Sequence, residues 1–148
     1  MKKILILVLP LIVLLGCGST ASLIQKDDRE SLAKSTDLYY KLIMWKYYDK
    51  AARFVDSESM DDYEDFVTRN EKDLNITNYE IKEVVYIDPA LGENTEDNKK
   101  TKESIVRVLF TYYKYPSVSE KTVTIQDTWL QKGKVWYVIS DYEEGVFE

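Results

Sequence analysis

The sequence predicts an α+β domain in which three helices come first and pack on one side of a curved four-stranded antiparallel sheet. Three observations lead there. Helical spacing of apolar residues is confined to the first half of the chain, up to Val67; alternating β-branched and aromatic runs fill the second half from Ile76 onward; and Lys132-Gly133 separates two such runs as a hairpin turn does. Helices followed by hairpin-linked strands give an α+β layering, not a doubly wound sheet.

The elements follow in order. Asp27 or Asp28 can cap a first helix, whose apolar positions Leu38, Leu42 and Trp45 stand at i, i+4, i+7. Continued unbroken, that helix would bury Asp49, so a bend is expected near Lys46 to Tyr48. A second helix then carries Tyr48, Ala51, Ala52 and Val55 on one side, and a third, capped by Ser57 or Ser59, carries Tyr63, Phe66 and Val67. Strands are predicted at Ile76 to Ile87, Ser104 to Tyr115, Thr122 to Gln131 and Lys134 to Asp141. The polar stretch from Leu91 to Lys102 reads as a mobile connection.

Ahead of this domain, Lys2 and Lys3 precede an apolar stretch from Ile4 to Leu15, broken only by Pro10, and small Gly16 stands before Cys17. That is the layout of a secretory signal. A spanning helix needs roughly 20 apolar residues, and this stretch falls short. Leu14-Leu15-Gly16-Cys17 resembles the lipobox of bacterial lipoproteins. The resemblance implies that residues 1–16 are removed, that Cys17 is acylated (palmitate among the chains), and that residues 17–26 tether a single domain over 27–148. A plain signal with an incidental thiol is the alternative, but Cys17 is the only cysteine and has no internal disulfide partner. Each buried acyl methylene contributes about 0.8 kcal/mol and one chain holds only reversibly, so stable anchoring takes more than one chain. Aspartate after the cysteine would resemble an inner-membrane retention signal; here the residue is Gly18. The implied location is the periplasmic face of the outer membrane in a Gram-negative cell, and the outer face of the plasma membrane otherwise.

The net charge is −6 at pH 7, and removing Lys2 and Lys3 makes it more negative. An acidic balance argues against nucleic acid as a partner, because that affinity rests on Lys and Arg neutralising phosphates. It supplies no basic patch for anionic lipid either, which leaves membrane contact to the anchor on Cys17. With no histidine in the chain and its sole thiol acylated, a zinc site is nearly excluded. Nucleophilic catalysis lacks its usual base, and neither a G-x-S-x-G turn nor a glycine-rich phosphate loop occurs. No cofactor is expected.

The segment Thr128-Trp129-Leu130-Gln131-Lys132-Gly133-Lys134-Val135-Trp136-Tyr137-Val138-Ile139 resembles the closing hairpin of the nuclear-transport-factor-2-like (cystatin-like) superfamily. Trp45-Lys46-Tyr47-Tyr48-Asp49-Lys50-Ala51-Ala52, with Phe54-Val55, is similar to its bent helix pair. The resemblance spans Ser31 to Tyr142 and implies a cone-like fold enclosing an apolar pocket. It does not imply a function, since the superfamily hosts enzymes, transport factors and assembly modules.

Taking Lys132-Gly133 as the turn sets Trp129 across from Trp136 and Asp127 across from Val138, on one face with Val123 and Ile125. An aspartate on a concave apolar face can serve as a general base, and superfamily members that isomerise steroids or cyclise polyketides resemble such an arrangement. The preferred reading of Asp127 is a hydrogen-bonded or rim residue, paired with Arg107 of the neighbouring strand. Twelve tyrosines and three tryptophans invite a ligand pocket, with Tyr39, Tyr40, Tyr47, Tyr48, Tyr112 and Tyr113 to watch, although core packing accounts for most aromatic positions. The ligand-binding candidates are Trp129, Trp136, Tyr112, Arg107 and Asp127. Asp61, Asp62, Glu64 and Asp65 form an acidic cluster that reads as a helix start, not a metal site, and Glu93 to Asp97 lacks the ligand order of a calcium loop. The stretch from Tyr142 to Glu148, with Val146 and Phe147, is a docking tail or the end of the last strand.

The expected function is a non-enzymatic envelope lipoprotein module that binds a small apolar ligand or a partner protein. The alternatives are a cofactor-free isomerase or cyclase with Asp127 as base, and a homodimerising structural module. An outer-face apolar patch of Leu130, Val135, Tyr137 and Ile139 would favour a protein partner.

Overall fold

The computed structural model describes residues 20–87, 101–140 and 145–148. Three α-helices precede a four-stranded antiparallel sheet, so the fold is α+β. Helix α1 runs Thr20–Met44, α2 Tyr48–Ala51 and α3 Met60–Asn70; strands β1 (Leu74–Ile87), β2 (Lys102–Lys114), β3 (Lys121–Lys132) and β4 (Val135–Ile139) pair in sequence order. The leader, Cys17, Gly18, the Glu93 to Asp97 loop and most of the Leu91 to Lys102 connection lie outside the described residues, as do Asp141 and Tyr142.

The buried face of α1 differs from the expected one. Leu32, Thr36, Tyr39, Tyr40 and Ile43 are buried at i, i+4, i+7, i+8 and i+11, while Leu38 is 46% exposed, Trp45 is 63% exposed and Leu42 is half-buried. Tyrosine, which apolar counting undervalues, buries its ring here and finds an acceptor for its hydroxyl. The helix also starts ahead of Asp27 and Asp28, so neither caps it. The Asp28 carboxylate instead accepts from the Gln131 amide at 3.0 Å and pairs with Lys102, tying α1 to the sheet. Burial raises the Asp28 pKa, but those two contacts outweigh it and hold the carboxyl below its usual range.

The predicted bend is present and has a defined geometry. Lys46 takes φ +56, its N–H reaches the Ile43 carbonyl at 3.0 Å, and the Tyr47 N–H reaches the Leu42 carbonyl at 2.8 Å. This pair of bonds is a Schellman cap with lysine in the position glycine usually holds. The second helix is shorter than expected, giving way to a 3-10 turn at Ala52–Phe54. Val55 then pairs with Val138, and the Asp56 N–H donates to the Val138 carbonyl at 2.9 Å, covering part of the edge of β4. Ser57 and Ser59 do not cap α3 through their side chains. Asp56 caps the preceding 3-10 turn, accepting from the Glu58 N–H at 3.2 Å, and its other oxygen pairs with Lys132 at 2.5 Å.

Along β2, Val106, Val108, Phe110 and Tyr112 alternate inward. With Leu74, Trp129, Trp136 and Val138 they form the core against α1, each fully buried aliphatic side chain contributing about 1.5–3 kcal/mol. Tyr79 fastens β1 to α1: its hydroxyl donates to Asp37 Oδ1 at 2.7 Å, and burial together with that carboxylate pushes its pKa up to about 12. In β1 the register shifts at Ile76/Asn78 and Ile81/Glu83, where single residues bulge.

The closing hairpin turns one residue later than expected. Lys132 pairs with Val135, leaving Gly133, at φ +69, and Lys134 as the loop. Trp129 therefore faces Val138 instead of Trp136. The register differs by two residues on β4, an even number, so every side chain keeps its expected face.

Candidate functional site

The inner face is filled at one end and open at the other. Trp129 and Trp136 are buried, and Tyr39 packs edge-on against the Trp129 ring at 5.6 Å. Their indole nitrogens are buried with no hydrogen-bond partner among the described residues. Farther along β3 the side chains shrink to Val123 and Ile125, and a cavity of about 280 Å³ opens between them and Tyr39, Tyr40 and Ile43 of α1. Phe66 of α3, Phe110 of β2 and Phe147 of the C-terminal stretch complete its apolar wall.

Asp127 lies in this cavity's lining, 3% exposed. The Tyr40 hydroxyl donates to its Oδ2 at 2.8 Å, across the gap between α1 and β3. Tyr40 is itself held by Phe110 at 5.7 Å and Trp129 at 6.4 Å, both edge-on, which fixes where its hydroxyl points. Ser140, just past β4 and also buried, adds a hydroxyl to the lining, which also includes Thr124 and Gln126 of β3. The described lining is thus mainly apolar and aromatic, with one carboxylate and the polar side chains of Thr124, Gln126 and Ser140.

The expected Arg107–Asp127 pair does not form. Arg107 points to the opposite face, where it bonds Glu83 at 2.8 Å and Gln126 at 3.2 Å. The reason is register: Val106, not Arg107, is the inward residue opposite Asp127. Of the ligand-binding candidates, Asp127 alone lines the cavity. Trp129 and Trp136 belong to the packed core, and Tyr112 is buried beneath Phe147, with ring centroids 5.1 Å apart and its hydroxyl donating to the Glu148 carbonyl at 3.2 Å.

Among the watched tyrosines, Tyr39 and Tyr40 line the cavity, whereas Tyr47 is 54% exposed beneath the Lys50 ammonium and Tyr113 packs against Tyr115. Phe66, Phe110, Ser140 and Phe147 were missed as lining residues. The available signal was alternation for Phe110 and, for Phe147, a large ring shortly after Gly145, which turns the chain at φ +85. Phe147 is buried and folds back on Phe66, Phe110 and Tyr112; within the described residues the chain end is neither a free tail nor a strand.

Asp61 and Asp62 occupy the first turn of α3 and are exposed, and no three metal-ligating side chains converge among the described residues. On the outer face Leu130 pairs with Tyr137, and Ile105, Thr128 and Ile139 stand in one cross-strand row; Val135 is 48% exposed. Among the described residues no helix is long and apolar enough to cross a membrane. Comparison with protein-family models, curated proteins and solved structures gave no match.

Proposed function

We propose that this chain is a cell-envelope lipoprotein, anchored through Cys17, whose domain is a non-enzymatic accessory module holding a small apolar molecule in a cone between α1 and the sheet. The observation that carries the reading is the cavity of about 280 Å³ over Val123 and Ile125, walled by aromatic rings and bearing one oriented carboxylate. Its size falls just below the roughly 300–1,000 Å³ of drug-sized ligand pockets, which suits a small molecule, and a few fixed polar groups in an apolar wall are what orient a bound molecule. The lipobox supports the location, and the acidic balance leaves the acyl chains to hold the membrane. Titration with benzyl alcohol, followed by methyl NMR, tests it. Ile43, Val123 and Ile125 should shift saturably while Val85 and Ile139 on the outer face stay still; uniform or non-saturating shifts contradict the reading.

A second reading is supported by the Tyr40–Asp127 contact, since a carboxylate beside a tyrosine hydroxyl inside an apolar cavity is also the arrangement of a cofactor-free isomerase or cyclase. Here the hydroxyl is directed onto the carboxylate itself, which favours a holding role over a base. Deuterium uptake next to the carbonyl of a small cyclic ketone in D₂O, abolished in Asp127→Asn, would establish the enzyme; uptake equal to that of buffer would remove it.

A further inference from the structure

Resting on the cavity reading above, we infer that Phe147 is the specificity-determining residue of that site. Its ring closes the cavity lengthwise and limits the molecule held there to a short one, so that a compact alcohol fits and a long alkyl chain does not. Three observations converge. First, a second hollow, of about 150 Å³, adjoins the cavity, and the two share Phe66, Val146 and Phe147 in their linings. The shared side chains are the wall between them. Second, Phe147 is the large shared side chain that stands outside helix and sheet. Phe66 belongs to α3, whereas Phe147 follows the turn at Gly145 and pairs with no strand among the described residues. Third, the ring is fixed. It is 6% exposed and meets the rings of Tyr112, Phe110 and Phe66 at 5.1, 5.9 and 6.0 Å. The Glu148 carbonyl beside it accepts from the Tyr112 hydroxyl at 3.2 Å and the Lys121 ammonium at 3.0 Å. One ring contact is worth about two- to tenfold in an equilibrium, so three together exceed the roughly fourfold that one more buried methylene gives. A ligand that grows by one carbon therefore stops at the ring and does not displace it.

The straight-chain alcohols from butanol to decanol add one methylene at a time and carry no charge. Each can be titrated against the detergent-solubilised full chain with the Val123 and Ile125 methyl signals as the readout, and affinities referred to the free alcohol measured after equilibrium dialysis. On the unaltered chain affinity should rise about fourfold per methylene and then stop rising before decanol. In Phe147→Ala, where the two hollows join, the rise should continue for about two more carbons at about fourfold each, and in Phe147→Leu for about one. If both variants stop at the same length as the unaltered chain, or if the unaltered chain keeps gaining up to decanol, the limit does not lie at Phe147 and the cavity reading stands. If no alcohol binds the unaltered chain, the cavity reading itself fails and the limit with it. Phe147→Leu, which keeps an apolar side chain in the core, decides should Phe147→Ala fold poorly.

Discussion

The Tyr40 hydroxyl and the Asp127 carboxylate meet at 2.8 Å across 87 residues of sequence, and both side chains are almost wholly buried. The bond joins the last turns of α1 to the middle of β3 and does so in the cavity lining, so one contact serves both the fold and the site. Tyr40→Phe keeps the ring and leaves the carboxylate short of a donor. Loss of about 1–3 kcal/mol is expected from urea unfolding, the usual penalty for stranding a buried polar group. Asp127→Asn should cost less, because an amide still accepts from Tyr40. In a double-mutant cycle the two should couple by at least about 0.5 kcal/mol; strict additivity would mean the contact carries no energy.

The Asp56–Lys132 pair gives the protein an acid limb. Burial alone would raise the Asp56 pKa, but the Lys132 ammonium and the Glu58 N–H outweigh it and hold the carboxyl below its ordinary value of 3.8. A pKa lower in the folded state than in the unfolded chain gives stability that is complete above the unfolded value and is lost as pH falls through the folded one. Asp56→Asn should therefore destabilise by about 1–2 kcal/mol at pH 7, as for a charge-assisted hydrogen bond with one exposed partner. The deficit should shrink as both proteins are taken below the ordinary aspartate range. A deficit that is constant with pH would assign the effect to capping alone.

Lys46 carries the bend between α1 and α2 in a left-handed conformation at φ +56. That conformation costs an L-residue about 1–2 kcal/mol, which glycine avoids. Lys46→Gly also gives up the Nζ bond to the Glu71 carbonyl at 3.0 Å and adds unfolded-state entropy. The expected balance is a gain of up to about 1 kcal/mol in thermal or urea unfolding. A loss of similar size would show that the Glu71 contact, not the backbone, governs the bend.

Cys17 is the test of location. Cys17→Ser expressed in a bacterial host should move the protein out of the membrane fraction, or leave it with its leader uncleaved, and metabolic labelling with palmitate should disappear. Undiminished membrane association with no label on the unaltered chain would remove the anchor from the proposal.

Much of the fold was legible because the periods of helix and strand are insensitive to small errors. A hairpin turn displaced by one residue changed the β4 partners of Trp129 and its neighbours and yet moved no side chain to the wrong face, since the shift summed to two. The helix break at Lys46 was readable from Asp49, whose charge could not sit in a buried stripe. Two things were hidden. On α1 the buried stripe runs through Thr36, Tyr39 and Tyr40, which look polar until their partners on the sheet are known, so Leu38 and Trp45 drew attention to the wrong side. On β2 both alternating rows are apolar, with Val106, Val108 and Phe110 in one and Ile105 and Leu109 in the other. Period-2 patterning therefore could not say that Arg107 faces out. Asp127 itself was found from strand parity, whereas its partner, in a helix far back in the chain, could come only from the three-dimensional fold.

Native mass spectrometry of the protein extracted gently from its source membrane tests most directly whether the space over Val123 and Ile125 is a ligand site. The chain should carry, beyond its acyl groups, one small molecule that is released on activation, and Ile125→Trp, which fills the cavity, should emerge without it. A mass equal to the acylated chain alone, or the same adduct retained by Ile125→Trp, would contradict the assignment.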